Sequence, residues 1–300
     1  MMKDNILSIV LERASRYNSR EVFRQRDPES NSYKSISWES LVSTSQMVSR
    51  SLLSLGTDTF ENIGIFSDNR PEWIFSDLGI IGIRSVVVPF YSTSSKQQLK
   101  YIVDETRMRL IFVGNREQYE KALWLLENTD TLKKIVVFDA GIAPDNDSCI
   151  SWEKFIGLDP ENHFDDEMKR RMQDIQPEDL VTIIYTSGTT GESKGVMLTH
   201  STFLYTFKIH DERLEVKESD VSVCFLPLSH VFERMWTYYM LYRGATNVFI
   251  DNPREIIKHI SVIKPTLMCT VPRFLRRPTK GFRQNSQNGL LSRKKYSTGR

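Results

Sequence analysis

Apolar residues along the chain follow two spacings that alternate from one segment to the next. Ile6–Tyr17 has apolar residues at helical spacing, whereas Ser85–Phe90 and Lys134–Phe138 contain short apolar runs without polar alternation. Such runs are typical of strands that are buried on both faces of a parallel sheet. Because strands and helices alternate, the pattern predicts an α/β fold in which helices cover parallel-rich sheets.

The same spacings predict the other elements. Pro71 suits the first turn of a helix, where its missing N–H costs nothing. The further strands are predicted at Tyr33–Trp38, Ile63–Phe66, Arg109–Val113, Leu180–Tyr185, Val221–Leu226, Ala245–Ile250 and Thr266–Val271. The further helices are predicted at Trp38–Leu55, Pro71–Ile83, Lys96–Asp104, Glu117–Glu127, Ser201–His210, Val231–Tyr242 and Pro253–Ile263.

Charge is distributed unevenly along the chain. The net charge of the 300 residues is +2, yet residues 276–300 contain eight basic and no acidic side chains. This segment also lacks a hydrophobic period, which predicts a disordered basic tail. Contact of the tail with a membrane or a nucleic acid is the alternative, but we expect no nucleic-acid partner.

Cysteine usage bears on the cellular compartment. Cys149, Cys224 and Cys269 are odd in number and widely spaced, which argues against a disulfide framework and against a zinc site. A reducing, cytoplasmic location is therefore expected. The longest apolar run, Leu78–Phe90, is interrupted by Arg84 and is too short to span a bilayer, so any membrane contact would be peripheral.

The segment that directly follows the predicted strand Leu180–Tyr185 is rich in glycine and hydroxyl side chains. Residues 185–195 read YTSGTTGESKG, and consecutive backbone amides in such a turn can bind an anion. Lys194 adds a positive charge. A flexible linker is the alternative, although linkers rarely follow a buried strand directly. A Walker A loop does not fit, because Ser193 precedes the lysine and Gly195 follows it.

This segment resembles the AMP-binding motif of the adenylate-forming superfamily, although Ser193 occupies a position where that family usually has proline. Further segments are similar to those of long-chain fatty acyl-CoA synthetases. These segments are Asp68–Trp73, Tyr91–Ser95, Phe225–Arg234 and Thr270–Phe274. The resemblance extends over almost the whole chain and implies a partial AMP-binding N-terminal domain at residues 1–275, with a phosphate loop at 185–196.

The resemblance implies a ligase that joins a fatty acid to CoA with ATP and Mg²⁺. The acid first attacks the α-phosphate of ATP to form acyl-AMP, and the CoA thiol then displaces AMP. Phosphate contacts are implied for Thr186, Ser187, Gly188, Thr189, Thr190, Gly191 and Lys194. Thr186 is also the candidate magnesium ligand, and His230 is the candidate catalytic residue near the reacting carboxylate.

Some side chains have a second interpretation. His230 could be an ordinary histidine at a helix start. Trp236, Tyr238 and Tyr239 are expected to be core residues rather than the lining of an acyl tunnel. Glu233 and Arg234 could form a local ion pair or support the site, and the sequence does not separate these alternatives.

The family's later segments, including a second nucleotide-site motif and a lid domain, are expected to lie beyond this sequence. Residues 276–300 depart from the family and could result from a frameshift. We therefore expect the 300-residue chain alone to fold poorly and to show little ligase activity. A non-enzymatic remnant with weak ATP binding, an aryl-CoA ligase and an amino-acid adenylation domain stay as alternatives.

Overall fold

A computed structural model describes residues 5–27, 32–144, 146–187, 193–250 and 255–272. Within these ranges the helices are α1 Ile6–Tyr17, α2 Trp38–Ser54, α3 Pro71–Gly82, α4 Lys96–Thr106, α5 Arg116–Asn128, α6 Trp152–Ile156, α7 Asp165–Asp174, α8 His200–Asp211, α9 Val231–Arg243 and α10 Ile256–Ile263. The strands are β1 Glu21–Arg26, β2 Tyr33–Ser37, β3 Asn62–Phe66, β4 Val86–Pro89, β5 Leu110–Val113, β6 Lys134–Val137, β7 Cys149–Ser151, β8 Leu180–Ser187, β9 Ser193–Thr199, β10 Val221–Cys224 and β11 Thr246–Phe249.

The strands form two sheets. The larger has seven strands in the order β7-β6-β5-β3-β4-β8-β9, and the smaller has four in the order β10-β11-β1-β2. In the larger sheet only the β8–β9 pair is antiparallel. In the smaller sheet β1 pairs with β11 in parallel and with β2 in the antiparallel sense. The predicted α/β fold with parallel-rich sheets is therefore confirmed.

The central strands of the larger sheet, such as β4 and β5, are buried on both faces. In β5, Leu110 and Phe112 belong to one hydrophobic cluster, whereas Ile111 and Val113 belong to another. Successive side chains of a strand point to opposite faces, so the sheet separates two cores. This arrangement explains the absence of polar alternation in the predicted strands.

A buried ion pair joins the helices that flank the two sheets. Asp77 of α3 accepts hydrogen bonds from Nε of Arg234 of α9 at 2.8 Å, from its Nη2, and from the Tyr238 hydroxyl at 2.7 Å. Both ionised side chains are completely buried. The guanidinium carbon lies 5.3 Å from the ring centre of Trp73 and 5.8 Å from that of Phe203. Two aromatic faces and one carboxylate thus surround the Arg234 charge in place of water.

Several predicted elements differ from the structure. The predicted strand Thr266–Val271 is wrong, because this segment contacts the edge of β10 at its start only. The N–H groups of Thr266 and Leu267 both donate to the Val221 carbonyl, and the Thr266 hydroxyl accepts the Val221 N–H. No further ladder bonds form in this described segment. Strand β1, β7, β9 and helix α6 were not predicted, and the predicted tail at 276–300 lies outside the described residues.

Removal of one charge from the Asp77–Arg234 pair is expected to destabilise the protein strongly. In the Asp77→Asn variant, the Arg234 charge stays buried without its counterion, which typically costs 3–5 kcal/mol, about half of a domain's stability. Tyr238→Phe removes one hydrogen bond to a charged group and should cost about 2 kcal/mol. Urea denaturation measures both losses.

The matched control is Asp104→Asn, which breaks the exposed pair between Lys100 and Asp104. Exposed pairs contribute less than about 1 kcal/mol. Equal losses in the Asp77→Asn and Asp104→Asn variants would contradict the structural role of the buried pair.

Candidate functional site

The glycine-rich segment forms the end of a β-hairpin. Strands β8 and β9 pair in register from Ile183↔Met197 to Ser187↔Ser193, so Thr186 lies opposite Lys194. The predicted phosphate loop at 185–196 is therefore longer than the connection itself, because residues 185–187 and 193–196 belong to the strands. Gly188, Thr189, Thr190 and Gly191 lie outside the described residues.

The two faces of this hairpin differ. Directly opposed residues of an antiparallel pair share a face, so Tyr185 and Gly195 lie on one face while Thr186 and Lys194 lie on the other. A Cβ atom on Gly195 would lie 2.7 Å from Cγ2 of Ile183 and 3.3 Å from Cζ of Tyr185. Glycine is therefore favoured here because the Ile183 and Tyr185 side chains occupy the space that a Cβ atom would need.

Tyr185 anchors the packed face of the hairpin. Its ring lies edge-on to that of Tyr101, with centroids 6.5 Å apart. Burial raises the pKa of the Tyr185 phenol, and the nearby Glu105 carboxylate raises it further. Tyr185 is thus a neutral packing residue, whereas Thr186 and Lys194 are both exposed. Lys194 forms no ion pair with any of the residues that the structure describes.

His230 lies at the edge of the sheet from which the hairpin extends. Strand β4 pairs with β8 in parallel at Val87↔Thr182, and Tyr91 and Thr186 lie equally far beyond this pair. The Tyr91 ring centre is 6.4 Å from that of His230. Because ligands of open α/β sheets bind beyond the carboxyl ends of the strands, this edge is the candidate site.

The imidazole of His230 has a defined orientation. His230 is the N-cap of α9, and its Nδ1 atom accepts the Phe232 N–H at 3.2 Å. An Nδ1 atom that accepts a hydrogen bond leaves the proton of the neutral ring on Nε2. Since the residue is exposed, this Nε2–H is available to a ligand at the sheet edge.

Glu233 and Arg234 do not pair with each other. Arg234 binds Asp77, whereas Oε2 of Glu233 accepts the Leu226 N–H at 3.2 Å and so supports the segment that leads to His230. Burial raises the pKa of Glu233 to about 8. The buried thiols of Cys224 and Cys269 lie close to this carboxyl group, and burial raises their pKa values as well.

Of the three aromatic residues of α9 expected in the core, Tyr238 and Tyr239 are buried and Trp236 is partly buried against the same cluster. Tyr238 is 1% and Tyr239 0% exposed. Their hydroxyls donate to Asp77 and to Asp211 respectively, and the indole N–H of Trp236 donates to the Ser222 hydroxyl. These polar ends all have hydrogen-bond partners within the fold, which supports a structural role for the three side chains.

The described part of the chain has neither a cluster of metal ligands nor a helix that could span a membrane. It contains no group of three or more His, Cys, Asp or Glu side chains arranged to hold a metal ion. The exposed Thr186 hydroxyl is a hard oxygen donor of the type that Mg²⁺ accepts beside water and phosphate ligands. Among the same residues, no helix has the length and apolar content needed to cross a bilayer.

The sequence did not predict a role for Tyr91, although the segment Tyr91–Ser95 resembles one of the long-chain fatty acyl-CoA synthetases. The signal that could have identified it is its position just after the buried strand β4, at the carboxyl edge of a parallel sheet. Sequence spacing alone did not bring it next to His230, since 138 other residues separate the two in the chain and a different sheet carries α9.

The raised pKa of Glu233 predicts a loss of stability between pH 6.5 and 8. The native state retains a proton that the unfolded chain releases near pH 4.5, so this stabilisation is complete below pH 4.5 and is lost up to about pH 8. Buried His200, whose pKa is lowered to about 4, has the opposite effect, but only below its unfolded value of 6.5. Above pH 6.5 the free energy of unfolding should therefore fall by about 1.4 kcal/mol per pH unit.

Urea titrations at several pH values in this window provide the measurement. Glu233→Gln keeps an acceptor for the Leu226 N–H and should flatten the profile. Glu167→Gln is the control, because two arginines lower the pKa of Glu167 to about 2 and it does not titrate in this window. A Glu233→Gln profile as steep as the native one would contradict the prediction.

Known long-chain acyl-CoA ligases are similar to this chain in sequence. Human long-chain-fatty-acid–CoA ligase 1 is 32% identical over 264 residues, which cover 82% of this chain and 36% of the human protein. Long chain acyl-CoA synthetase 3 of Arabidopsis thaliana is 31% identical over 262 residues, or 82% of this chain and 38% of its own length. The chain thus spans little more than a third of these curated relatives.

Solved structures share the fold. An anthranilate CoA ligase in complex with anthranoyl-AMP superposes with a TM-score of 0.73 at 20% identity, covering 89% of this chain and 50% of the ligase. A putative long-chain-fatty-acid CoA ligase from Rhodopseudomonas palustris gives a TM-score of 0.72 at 16% identity, covering 91% and 64%. The family described as AMP-binding enzyme matches residues 10–297. With this match and the relatives above, the chain belongs to the AMP-binding enzyme family.

Proposed function

We propose that this chain carries the nucleotide-phosphate site of an ATP-dependent long-chain fatty acid–CoA ligase. The observation that supports this most strongly is the pairing of Thr186 with Lys194 on the exposed face of the β8–β9 hairpin, at the sheet edge that also carries His230. A hydroxyl and a cation without an ion-pair partner among the described residues then flank the connection at 188–192. On the opposite face the buried Tyr185 ring anchors strand β8.

The proposed reaction has two steps. The fatty acid carboxylate attacks the α-phosphorus of ATP, the bond to the bridging oxygen breaks, and pyrophosphate leaves acyl-AMP behind. The CoA thiolate then attacks the acyl carbon and displaces AMP. In the first step negative charge moves onto the leaving pyrophosphate, which Lys194, the Thr186 and Ser187 groups and the connection at 188–192 would stabilise.

Mg²⁺, when bound, would neutralise part of the triphosphate charge. Thr186 is the residue of this chain that we propose as its ligand, because its hydroxyl is exposed on the same hairpin face as Lys194. Phosphate and water oxygens would supply the other ligands, in keeping with the preference of Mg²⁺ for substrate phosphates over sites built from protein alone.

His230 is the proposed contact for the reacting carboxylate. Its Nδ1 atom is held by the Phe232 N–H, so Nε2 presents a proton toward the sheet edge. A hydrogen bond from Nε2–H to one carboxylate oxygen would orient the other oxygen for attack. Proper orientation of bound reactants can supply several kcal/mol of the barrier.

The preference for long-chain fatty acids rests on the names of the curated relatives, which are about 31% identical. A structural neighbour is named as an anthranilate ligase, so an aryl acid is the competing substrate class. We also propose a cytoplasmic location with at most peripheral membrane contact. The three free cysteines in the described chain support a reducing compartment.

Exchange of labelled pyrophosphate into ATP, measured on a chain completed with the later segments of the family, distinguishes these substrates. We expect exchange with hexadecanoate to exceed that with benzoate or alanine by at least about tenfold, because each buried methylene contributes about 0.8 kcal/mol. Faster exchange with benzoate would favour an aryl-CoA ligase. Binding of MgATP without exchange for any acid would favour a non-enzymatic nucleotide-binding chain.

Replacement of Lys194 should weaken nucleotide binding. Lys194→Met keeps the length of the side chain and removes the charge, and a lost charge-assisted hydrogen bond corresponds to about 10–100-fold weaker MgATP binding. Isothermal titration calorimetry provides the dissociation constant. Lys154→Met is the matched control, because Lys154 is also exposed and lies on α6. Native affinity in the Lys194→Met variant would contradict the proposed phosphate site.

A further inference from the structure

One side-chain amide connects the carboxyl edges of the two sheets. Asn69 follows β3 in the larger sheet, and its Nδ2 donates to the Leu226 carbonyl at 2.7 Å. Its Oδ1 accepts the Leu228 N–H at 2.9 Å. Both partners belong to residues 225–230, the connection from β10 of the smaller sheet to α9, which we call the β10–α9 loop.

The rest of this loop is held by groups that converge on the same residues. The Leu226 N–H donates to Glu233, so both backbone polar groups of Leu226 have side-chain partners. The His230 N–H donates to the Pro227 carbonyl at 2.9 Å and closes a turn that encloses Leu228. His230 therefore ends a loop whose conformation depends on one amide from the opposite sheet.

We infer that Asn69 is a positioning residue that fixes the β10–α9 loop and thereby places the His230 imidazole against the substrate carboxylate. This inference rests on the proposed function for its catalytic consequence, but its structural part concerns this chain alone. Among the described residues, the Asn69 side chain hydrogen-bonds to the loop and to the Cys224 thiol at the end of β10, at 3.5 Å, and does not need to touch the substrate.

The chemistry of the side chain matches this role. An amide both donates and accepts, and Asn69 uses one atom for each backbone partner. A carboxylate in its place would still accept the Leu228 N–H but would repel the Leu226 carbonyl. Alanine would leave both backbone groups without their partners. The β10–α9 loop should therefore be most distorted in the alanine variant, less distorted in the aspartate variant and undistorted with the native asparagine.

Two other anchors, one on helix α9 and one on the β8–β9 hairpin, separate this role from general stability. The first turn of α9 is independently held by Arg234, whose guanidinium binds Asp77. The β8–β9 hairpin is held by Tyr185 and is not in contact with Asn69 through any hydrogen bond in the described chain. Loss of the Asn69 amide should thus alter the β10–α9 loop while α9 and the nucleotide hairpin keep their structure.

The test compares Asn69→Ala, Asn69→Asp and the control Asn62→Asp in the full 300-residue chain. Asn62 is the first residue of the same strand, and its amide donates to the Thr106 carbonyl at 2.9 Å, away from this edge. Amide hydrogen exchange measured by NMR should accelerate at Leu228 and His230 by about tenfold or more in Asn69→Ala. The acceleration should be smaller in Asn69→Asp and absent in the control.

Ligand titrations separate positioning from a general loss of structure. In Asn69→Ala we expect the dissociation constant of MgATP to stay within about twofold of the native value, and that of hexadecanoate measured with MgATP present to rise about tenfold. Equal losses for both ligands, or native affinity for hexadecanoate, would overturn the inference.

Amide hydrogen exchange still tests the positioning role of Asn69 if the proposed function is wrong. Absence of hexadecanoate binding by the native chain would contradict that function, whereas unchanged exchange at Leu228 and His230 in Asn69→Ala would overturn the positioning role. Faster exchange confined to the β10–α9 loop would support the role even then.

Discussion

The buried ion pair between Asp77 and Arg234 is the contact on which the joining of the two sheets depends. Neither charge has access to water, so each is tolerated only because the other is held at hydrogen-bonding distance. The pair links α3, which packs on the larger sheet, with α9, which follows β10 of the smaller one. The geometry of this ion pair therefore restricts the relative position of the two sheets, because a displacement of one sheet would leave a buried charge unpaired.

The candidate site lies where the edges joined by this pair meet. Arg234 follows His230 by one helical turn, and its N–H donates to the His230 carbonyl at 3.2 Å. Asn69, which precedes α3, binds the loop before His230. One segment of the larger sheet thus holds the start of α9 at two points. A rigid support of this kind is what a group needs in order to orient a reacting carboxylate.

The β8–β9 hairpin contributes the second half of the site, because its two faces carry different side chains. Tyr185 and Ile183 cover Gly195 on one face, which leaves Thr186 and Lys194 exposed on the other. The cost of this arrangement is a strand pair at the edge of the sheet with exposed Val196 and Met197. The exposed cation and hydroxyl suit an anion, and the membership of the AMP-binding enzyme family agrees with a nucleotide.

Hydrophobic spacing in the sequence alone determined most helices and the buried parallel strands, because local periodicity reports which face of an element is covered. The composition of residues 185–195 likewise determined the candidate phosphate segment. Hydrophobic spacing did not predict strand pairing correctly where tertiary contacts determine it. Thr266–Val271 has the composition of a strand but contacts only the end of β10. Strand β9 was not predicted, and it forms because the chain folds back and pairs with β8. The partners of Glu233 and Arg234 and the proximity of Tyr91 to His230 were decided only by the tertiary structure. These contacts join segments far apart in the chain, and no local pattern encodes which buried charge meets which.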